Sequence, residues 1–367
     1  MTSALSQLLG NYFFKSFASI KLIEQIITGL FYVRDVNLTQ LALVVQGAGN
    51  DNSRYRKLQR FFSGFSFCYT ALAKLLVAFA KIESEKWLLA LDRTNWKFGK
   101  LDINILVLSI CHNGIAIPIM WDMLPKTGVS NSGERQKLIG RFLQVFGVEK
   151  ISALLGDREF IGDDWLKFLA DRNIPFYIRI KQNLTIGRSE NELVTANPLV
   201  KKLQNNEYKV LRGKRYLGKN YKGPKVSVAA LRNGEGELVI IATNDNPYQA
   251  LDIYKKRWEI ENLFACLKTR GFNFENTHLV HLDRINKLLG ILAITFTFAY
   301  TVGLWRHSIW PIKLKTHGRK AMSPFRYGLD YLRRIYLNQG QMYKELSSII
   351  DIFIKPLIPK LPTIISC

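Results

Sequence analysis

A chain of 367 residues with 52 Lys+Arg against 29 Asp+Glu carries a formal charge of +23, which calls for a polyanionic partner, nucleic acid first and an anionic membrane surface second. With 48% hydrophobic and 12% aromatic residues it is no disordered polycation; it can bury sizeable cores, and its length suits about two or three domains. Cys68, Cys111, Cys266 and Cys367 are widely spaced without a C-x-x-C pair, which indicates neither a disulfide framework nor a zinc site and makes a reducing cytoplasm the default; the start, Met1 to Gln7, lacks the basic segment of a secretory leader.

Residues 1–80 read as a helical region. Ile20 to Gly29 has amphipathic spacing closed by a glycine. Asn37 to Gln46 predicts a further helix, Gly47 to Ser53 a polar turn, and Arg54 to Phe62 another helix. Helix, glycine-rich turn and a helix bearing Arg54, Arg56, Lys57 and Arg60 suit a helix-turn-helix that touches DNA. A small bundle with a basic solvent face is the competing reading. The coincidence of turn, arginine cluster and basic chain favours DNA contact.

From 86 to 183 the chain alternates in the manner of an α/β core. Strands are predicted at 87–92, 102–111 and 114–121, with Asn113-Gly114 as a hairpin turn. A helix opens at Asn131, has Glu134 at capping-box spacing and runs through Phe146. A strand at 150–156, a helix near 162–172 and a strand at 175–180 follow. Two strands end alike: the apolar runs Leu88 to Leu91 and Ile151 to Gly156 stop at Asp92 and Asp157. Residues just past the carboxyl end of a strand line the ligand crevice of an α/β sheet. A single such aspartate is as readily a turn or cap residue.

The segment 184–245 reads as a β-rich insertion. Lys225 to Leu231, Asn233-Gly234 and Glu237 to Thr243 make a hairpin signal. Between Lys201 and Lys225, basic residues including Lys214, Arg215 and Lys219 are interleaved with Tyr208, Tyr216 and Tyr221, and the one acid is Glu207. That mixture suits a surface tracking a nucleic-acid backbone. A solvated sheet edge guarded by lysines would look similar.

Residues 246–278 hold the most informative stretch, Tyr254 to Lys268. Read as a helix, it brings Tyr254, Arg257, Glu261, Phe264, Ala265 and Lys268 onto one face. One acid among a phenol, a guanidinium and an ammonium suits a metal site facing phosphates; an exposed helix with an Arg257–Glu261 pair is the plainer reading. Asp92, Asp157 and Glu261 together form an all-oxygen, hard-ligand set suited to Mg²⁺ or Mn²⁺. Residues 279–367 read as a helical carboxyl-terminal region. Within it Leu288 to Trp305 is uncharged and at the lower edge of a spanning length; a buried core helix explains it as well and suits its flanks better.

These blocks resemble the bacterial insertion-sequence transposases of the DDE type. Asp92, Asp157 and Glu261 look like the D-D-E triad, and Tyr254, Arg257, Glu261 and Lys268 match the Y-R-E-K signature of one cut-and-paste branch. Asp92 to Trp96 and Gly156 to Phe160 look like that branch's blocks around its first two aspartates, and the likeness runs from about Lys86 to His278. The resemblance implies an RNase H-like catalytic core interrupted by the β-rich insertion, with helical amino- and carboxyl-terminal regions. It implies DNA strand cleavage and transfer with two divalent ions held by the triad. Tyr254, Arg257 and Lys268 would grip phosphates near the cut, with Arg158 and Trp258 as further DNA-side candidates. It implies double-stranded DNA as partner, both terminal inverted repeats and target, a homodimer on that DNA, and a bacterial, nucleoid-associated setting without a membrane. Three rivals remain: a metal-dependent nuclease on the same scaffold, a non-catalytic DNA-binding regulator, and a membrane protein anchored by 288–305.

Overall fold

The computed structural model describes residues 3–13, 15–189, 191–220, 222–316, 318–338 and 340–358. Tyr221 and Cys367, singled out above, lie outside them. The chain divides into two compact units: Met1–Glu83 with Asn95–Ile103 and Leu263–Cys367, and Ser84–Thr94 with Asn104–Asn262.

The first unit is largely helical. Its core is the helix Leu282–Ile309, in which every residue from Lys287 to Gly303 is buried. An all-round apolar helix belongs in a protein core or a bilayer. This one is long and apolar enough to cross a membrane, yet 89% of its apolar window is buried inside the protein. The helices Phe17–Val33, Tyr69–Ala80 and Pro324–Leu337 cover it. Its tightest crossing is with Pro324–Leu337, where a Cβ at Gly328 would run into the Ala299 carbonyl and one at Gly303 into the Pro324 carbonyl. Lys287, near its start, keeps its charge paired: Nζ donates to the Phe62 carbonyl at 3.1 Å and to Asp283 Oδ2 at 2.6 Å. Cys266 holds a free thiol, whereas Cys68 is disulfide-bonded, which the spacing of cysteines alone does not indicate.

The second unit is built on a sheet that completes the α/β expectation. In chain order the strands are β1 (Trp87–Phe98), β2 (Leu101–His112), β3 (Ile115–Met123), β4 (Ile151–Gly156), β5 (Phe176–Ile180), β6 (Thr185–Gly187), β7 (Val194–Thr195), β8 (Tyr208–Val210), β9 (Tyr216–Leu217), β10 (Ser227–Arg232) and β11 (Leu238–Thr243). Eight form one sheet in the order β3-β2-β1-β4-β5-β11-β10-β8; β7-β6-β9 form a small second one. β2 and β3 pair antiparallel across Asn113 and Gly114, both at positive φ, as the hairpin signal predicts. β1, β4 and β5 run parallel. The helix Ser132–Phe146 leads from β3 to β4 and starts on the predicted Asn131/Glu134 capping box. Three strands, a helix, a strand, a helix and a strand is the RNase H-like order, and it is preceded and followed in the chain by helical regions.

Two placements differ from the sequence-based boundaries. β1 does not stop at Asp92 but runs on to Phe98. The hairpin β10–β11 also extends the large sheet instead of standing apart: β11 pairs antiparallel with β5, Ile240 opposite Ile180. Both strands are mostly buried, with Val228, Ala229, Ile240 and Ile241 fully so, and the free edge of β5 is where they find cover.

Candidate active site

Parallel pairing of β1 and β4 sets Leu91 opposite Gly156, so the next residues, Asp92 within β1 and Asp157 just past β4, are brought together at the carboxyl end of β4. The Asp92 carboxyl is largely buried. Its Oδ1 accepts the Arg93 backbone N–H at 2.7 Å and its Oδ2 the Arg257 Nη1 at 3.0 Å. Burial pushes its pKa up to about 7 against the pull of Arg257 and the Arg93 amide, with Glu159 and Asp157 adding to the rise. The Oδ1 of Asp157 is buried with no hydrogen-bond partner.

Tyr254 to Lys268 is not one helix. It breaks into Ala250–Lys255 and Trp258–Leu267, and Arg257 sits in the turn between them. Backbone bonds there span three residues, Tyr254 O to Arg257 N at 2.9 Å and Arg257 O to Ile260 N at 3.1 Å, the tighter winding of a helix end. The second helix is pinned to the β2–β3 hairpin. Gly114 N–H donates to Glu259 Oε1 at 3.2 Å, Asn262 Nδ2 donates to the Gly114 carbonyl at 3.1 Å, and the Cys111 thiol to the Lys256 carbonyl at 3.4 Å.

The break aims Arg257 inward, where it is 8% exposed. Nη1 donates to Asp92 and Nη2 to Glu261, so one guanidinium joins two members of the predicted triad. Burial would lower its pKa, but Tyr254, Asp92 and Glu261 outweigh that and hold it protonated. Tyr254 is buried beside it, its ring centre 5.8 Å from the guanidinium carbon; burial raises its pKa, and its hydroxyl has no partner.

Arg93 and Glu159 were missed by sequence reasoning. Arg93 Nε and Nη2 meet Glu159 Oε1 and Oε2 at 2.9 and 3.0 Å, a two-armed pair of low exposure. Arg93 Nη1 also donates to Asn104 Oδ1 at 2.9 Å, and Arg135 Nη2 to the Glu159 carbonyl at 2.9 Å. The segments carrying Asp92 and Asp157 are thereby tied side chain to side chain. The available signal was position: each partner lies within two residues of an aspartate.

The other candidates divide. Arg158 and Trp258 are exposed, Trp258 at 62%. Lys268 belongs to the helical unit, where Nζ pairs with Glu275 at 2.7 Å and stands 5.3 Å above the Trp96 ring. Lys214 and Lys219 face solvent. Arg215 does not: it is buried and its Nε has no partner, because its backbone pairs with Val226 and turns the side chain inward. Arg56 and Arg60 are exposed on the helix Asp51–Gly64. Arg54 instead braces the preceding turn, donating to the Ala42 and Gly49 carbonyls at 2.9 Å each, and Lys57 reaches the Gln46 carbonyl at 3.5 Å.

The donors suit a hard dication. All are carboxylate oxygens, and the unsatisfied Asp157 Oδ1 lacks the partner that a cation would supply. Among the described residues no three His, Cys, Asp or Glu side chains form a preformed cage; between Asp92 and Glu261 stands the Arg257 guanidinium.

The family described as transposase DDE domain matches residues 83–298. Among solved structures, the chain is similar to a piggyBac transposase in a synaptic complex with hairpin DNA, determined by cryo-electron microscopy: 10% identity, 96% of this chain and 78% of that one covered, TM-score 0.49. No curated protein matches.

Proposed function

Since the chain belongs to the DDE transposase domain family, we propose that it cuts an insertion element at its ends and joins them to target DNA, with Asp92, Asp157 and Glu261 as the ligands of Mg²⁺ or Mn²⁺. The observation that carries this reading is the β1–β4 register, which brings two aspartates to the carboxyl end of β4, together with the guanidinium that connects the first of them to Glu261.

A bound divalent pair supplies activation of the attacking oxygen and stabilisation of the leaving one. The chain's own residues do the rest. Arg93 and Glu159 hold the aspartate segments in register. Asp92, with its pKa near 7, gives up a proton before it serves as a ligand. Arg257, whose two Nη groups hold Asp92 and Glu261, would offer its planar two-pronged donor set to a phosphate once cations take those carboxylates, and Arg158 and Trp258 lie exposed for DNA. Tyr254 and Lys268 complete the Y-R-E-K assignment. Lys214, Lys219, Arg56 and Arg60 add backbone contacts, with Arg54 and Lys57 supporting the turn that presents Arg56 and Arg60. Two element ends call for two copies of the chain on DNA. A bacterial cytoplasmic setting at the nucleoid is part of the same reading.

The test is incubation with the element's terminal inverted repeats, target DNA and Mg²⁺. Cleaved and joined products are expected, and Asp92→Asn, Asp157→Asn and Glu261→Gln should each abolish cleavage while leaving binding in place. Cleavage surviving in two of the three would overturn the ligand assignment. Cleavage without joining would reduce the protein to a nuclease, and binding alone to a regulator.

A further inference from the structure

The sheet edge that carries Asp157 continues past it. β4 and β5 are parallel, so Asp157-Arg158 leaves β4 at the edge where Lys181-Gln182-Asn183 leaves β5. β11, antiparallel to β5, begins at that edge with Leu238. Between these strand ends lies a cleft of about 280 Å³ lined by Arg158, Arg179, Lys181, Gln182, Asn183 and Leu238. Arg158 and Lys181 are exposed, and neither side chain has a hydrogen-bond or ion-pair partner among the described residues. Arg179 is turned toward an acid: its Nη2 donates to Glu237 Oε1 at 2.5 Å, and the Glu237 side chain is 55% exposed. Three cations therefore line the cleft, and only Arg179 among them is ion-paired, to a solvated carboxylate. Beyond Asn183 the chain enters β6, whose small sheet includes β9, with Lys214 and Lys219 exposed on either side of that strand.

We propose that this cleft is a binding subsite for a backbone phosphodiester of the DNA strand, displaced along the strand from the phosphate addressed at Asp157, with Arg179 and Lys181 as its principal ligands. The proposal rests on the transposase reading above and assigns a further stretch of DNA path to it. In the DNA-free protein, Glu237 occupies the anion position. A phosphate replaces it, taking the two-pronged guanidinium of Arg179 while Lys181 and Arg158 add point charges and the Gln182 and Asn183 amides donate. A phosphodiester is favoured over a free anion because the cleft lies where β4 delivers Asp157, and the chain that leaves it enters the small sheet with Lys214 and Lys219 exposed, further cations that suit a repeating polyanion.

The experiment measures binding of the full chain to a terminal-repeat duplex across a salt series, in Ca²⁺ to hold back cleavage. Lys181→Ala and Arg179→Gln should each weaken binding about tenfold and lower the salt slope by about one. Glu237→Gln should act in the opposite direction, tightening binding a few-fold because it frees Arg179. A neutral methylphosphonate at one backbone position should erase the difference between the wild type and Arg179→Gln. Lys181 and Glu237 are exposed, so their variants read binding and not folding. Unchanged slopes, no tightening in Glu237→Gln, or no methylphosphonate position with this effect would overturn the subsite while leaving the transposase reading intact. A wild-type protein that neither binds nor cuts the repeat would overturn both.

Discussion

Replacing Arg257 with glutamine should strengthen the binding of a divalent ion while weakening catalysis. The guanidinium stands between Asp92 and Glu261, donating to both, and an incoming dication must share or take that place. At about 5 Å and an effective dielectric constant near 20, a doubly charged ion and a guanidinium repel by about 7 kcal/mol. Glu261 has a side-chain exposure of 36%, so solvent screening removes most of this. About 1–3 kcal/mol should survive, a ten- to hundredfold gain in Mn²⁺ affinity. The assay is titration of the DNA-free protein at pH 8.5, followed through the electron paramagnetic resonance of unbound Mn²⁺. At that pH Asp92 is ionised and no proton competes. Arg257→Lys should fall between, since the ammonium keeps the charge but lacks the planar, spread donor set with which the guanidinium reaches both Asp92 and Glu261. Cleavage of repeat DNA should drop in both variants. If Arg257→Gln binds Mn²⁺ no more tightly than the wild type, the guanidinium is not competing for the metal position.

The raised pKa of Asp92 makes two pH statements. Its folded value of about 7 exceeds its unfolded value near 4, so its contribution to stability is complete below about pH 4 and is lost as pH rises to about 7; thermal unfolding of the metal-free protein should show that decline, and Asp92→Asn should flatten it. Because the ligand is the carboxylate, Mn²⁺ affinity should rise about tenfold from pH 6 to pH 8 and then level off, and a flat profile would refute the shift. Lys214→Ala with Lys219→Ala should lower the salt slope of DNA binding by about two, whereas Arg215→Ala should lower the melting temperature and leave the slope unchanged; the reverse pattern would return Arg215 to the DNA surface. Gly328→Val should destabilise the helical unit by about 3 kcal/mol or more, because its Cβ would run into backbone alone, the Ala299 carbonyl and Gly303; an unchanged melting temperature would contradict the close crossing.

The parts of the molecule legible in the sequence are those set by local rules. The Asn113-Gly114 turn and the Asn131/Glu134 cap depend on neighbours within a few residues, and each is where it was expected; the apolar runs before Asp92 and Asp157 are strands, although β1 continues past Asp92. What the sequence hid depends on partners far along the chain. No glycine or proline marks the break at Lys256-Arg257; it comes from anchoring Glu259 and Asn262 to a hairpin near residue 114. Nor does composition distinguish Arg215, which is buried, from Lys214 beside it, which is not. The periodicity of Leu288 to Trp305 could not separate a bilayer from a protein interior, and the helices packed on it decide the matter.

The hairpin's return to the main sheet also bears on how such a protein can change. The chain departs after Ile180 and returns beside it at Leu238, with Ile240 paired to Ile180; of the strands between, β8 and β10 join the large sheet and β6, β7 and β9 form the small one, so the stretch leaves and re-enters at neighbouring points on adjoining strands. A detour with coincident ends can be lengthened or shortened at small entropic cost, about 0.6 kcal/mol for each doubling. The lysine-bearing small sheet lies within that detour, while Asp92, Asp157 and Glu261 lie outside it. Mutation can therefore reshape the small sheet, the region proposed to touch DNA, without moving a carboxylate, so that the proposed recognition surface and the proposed ligands drift on separate clocks.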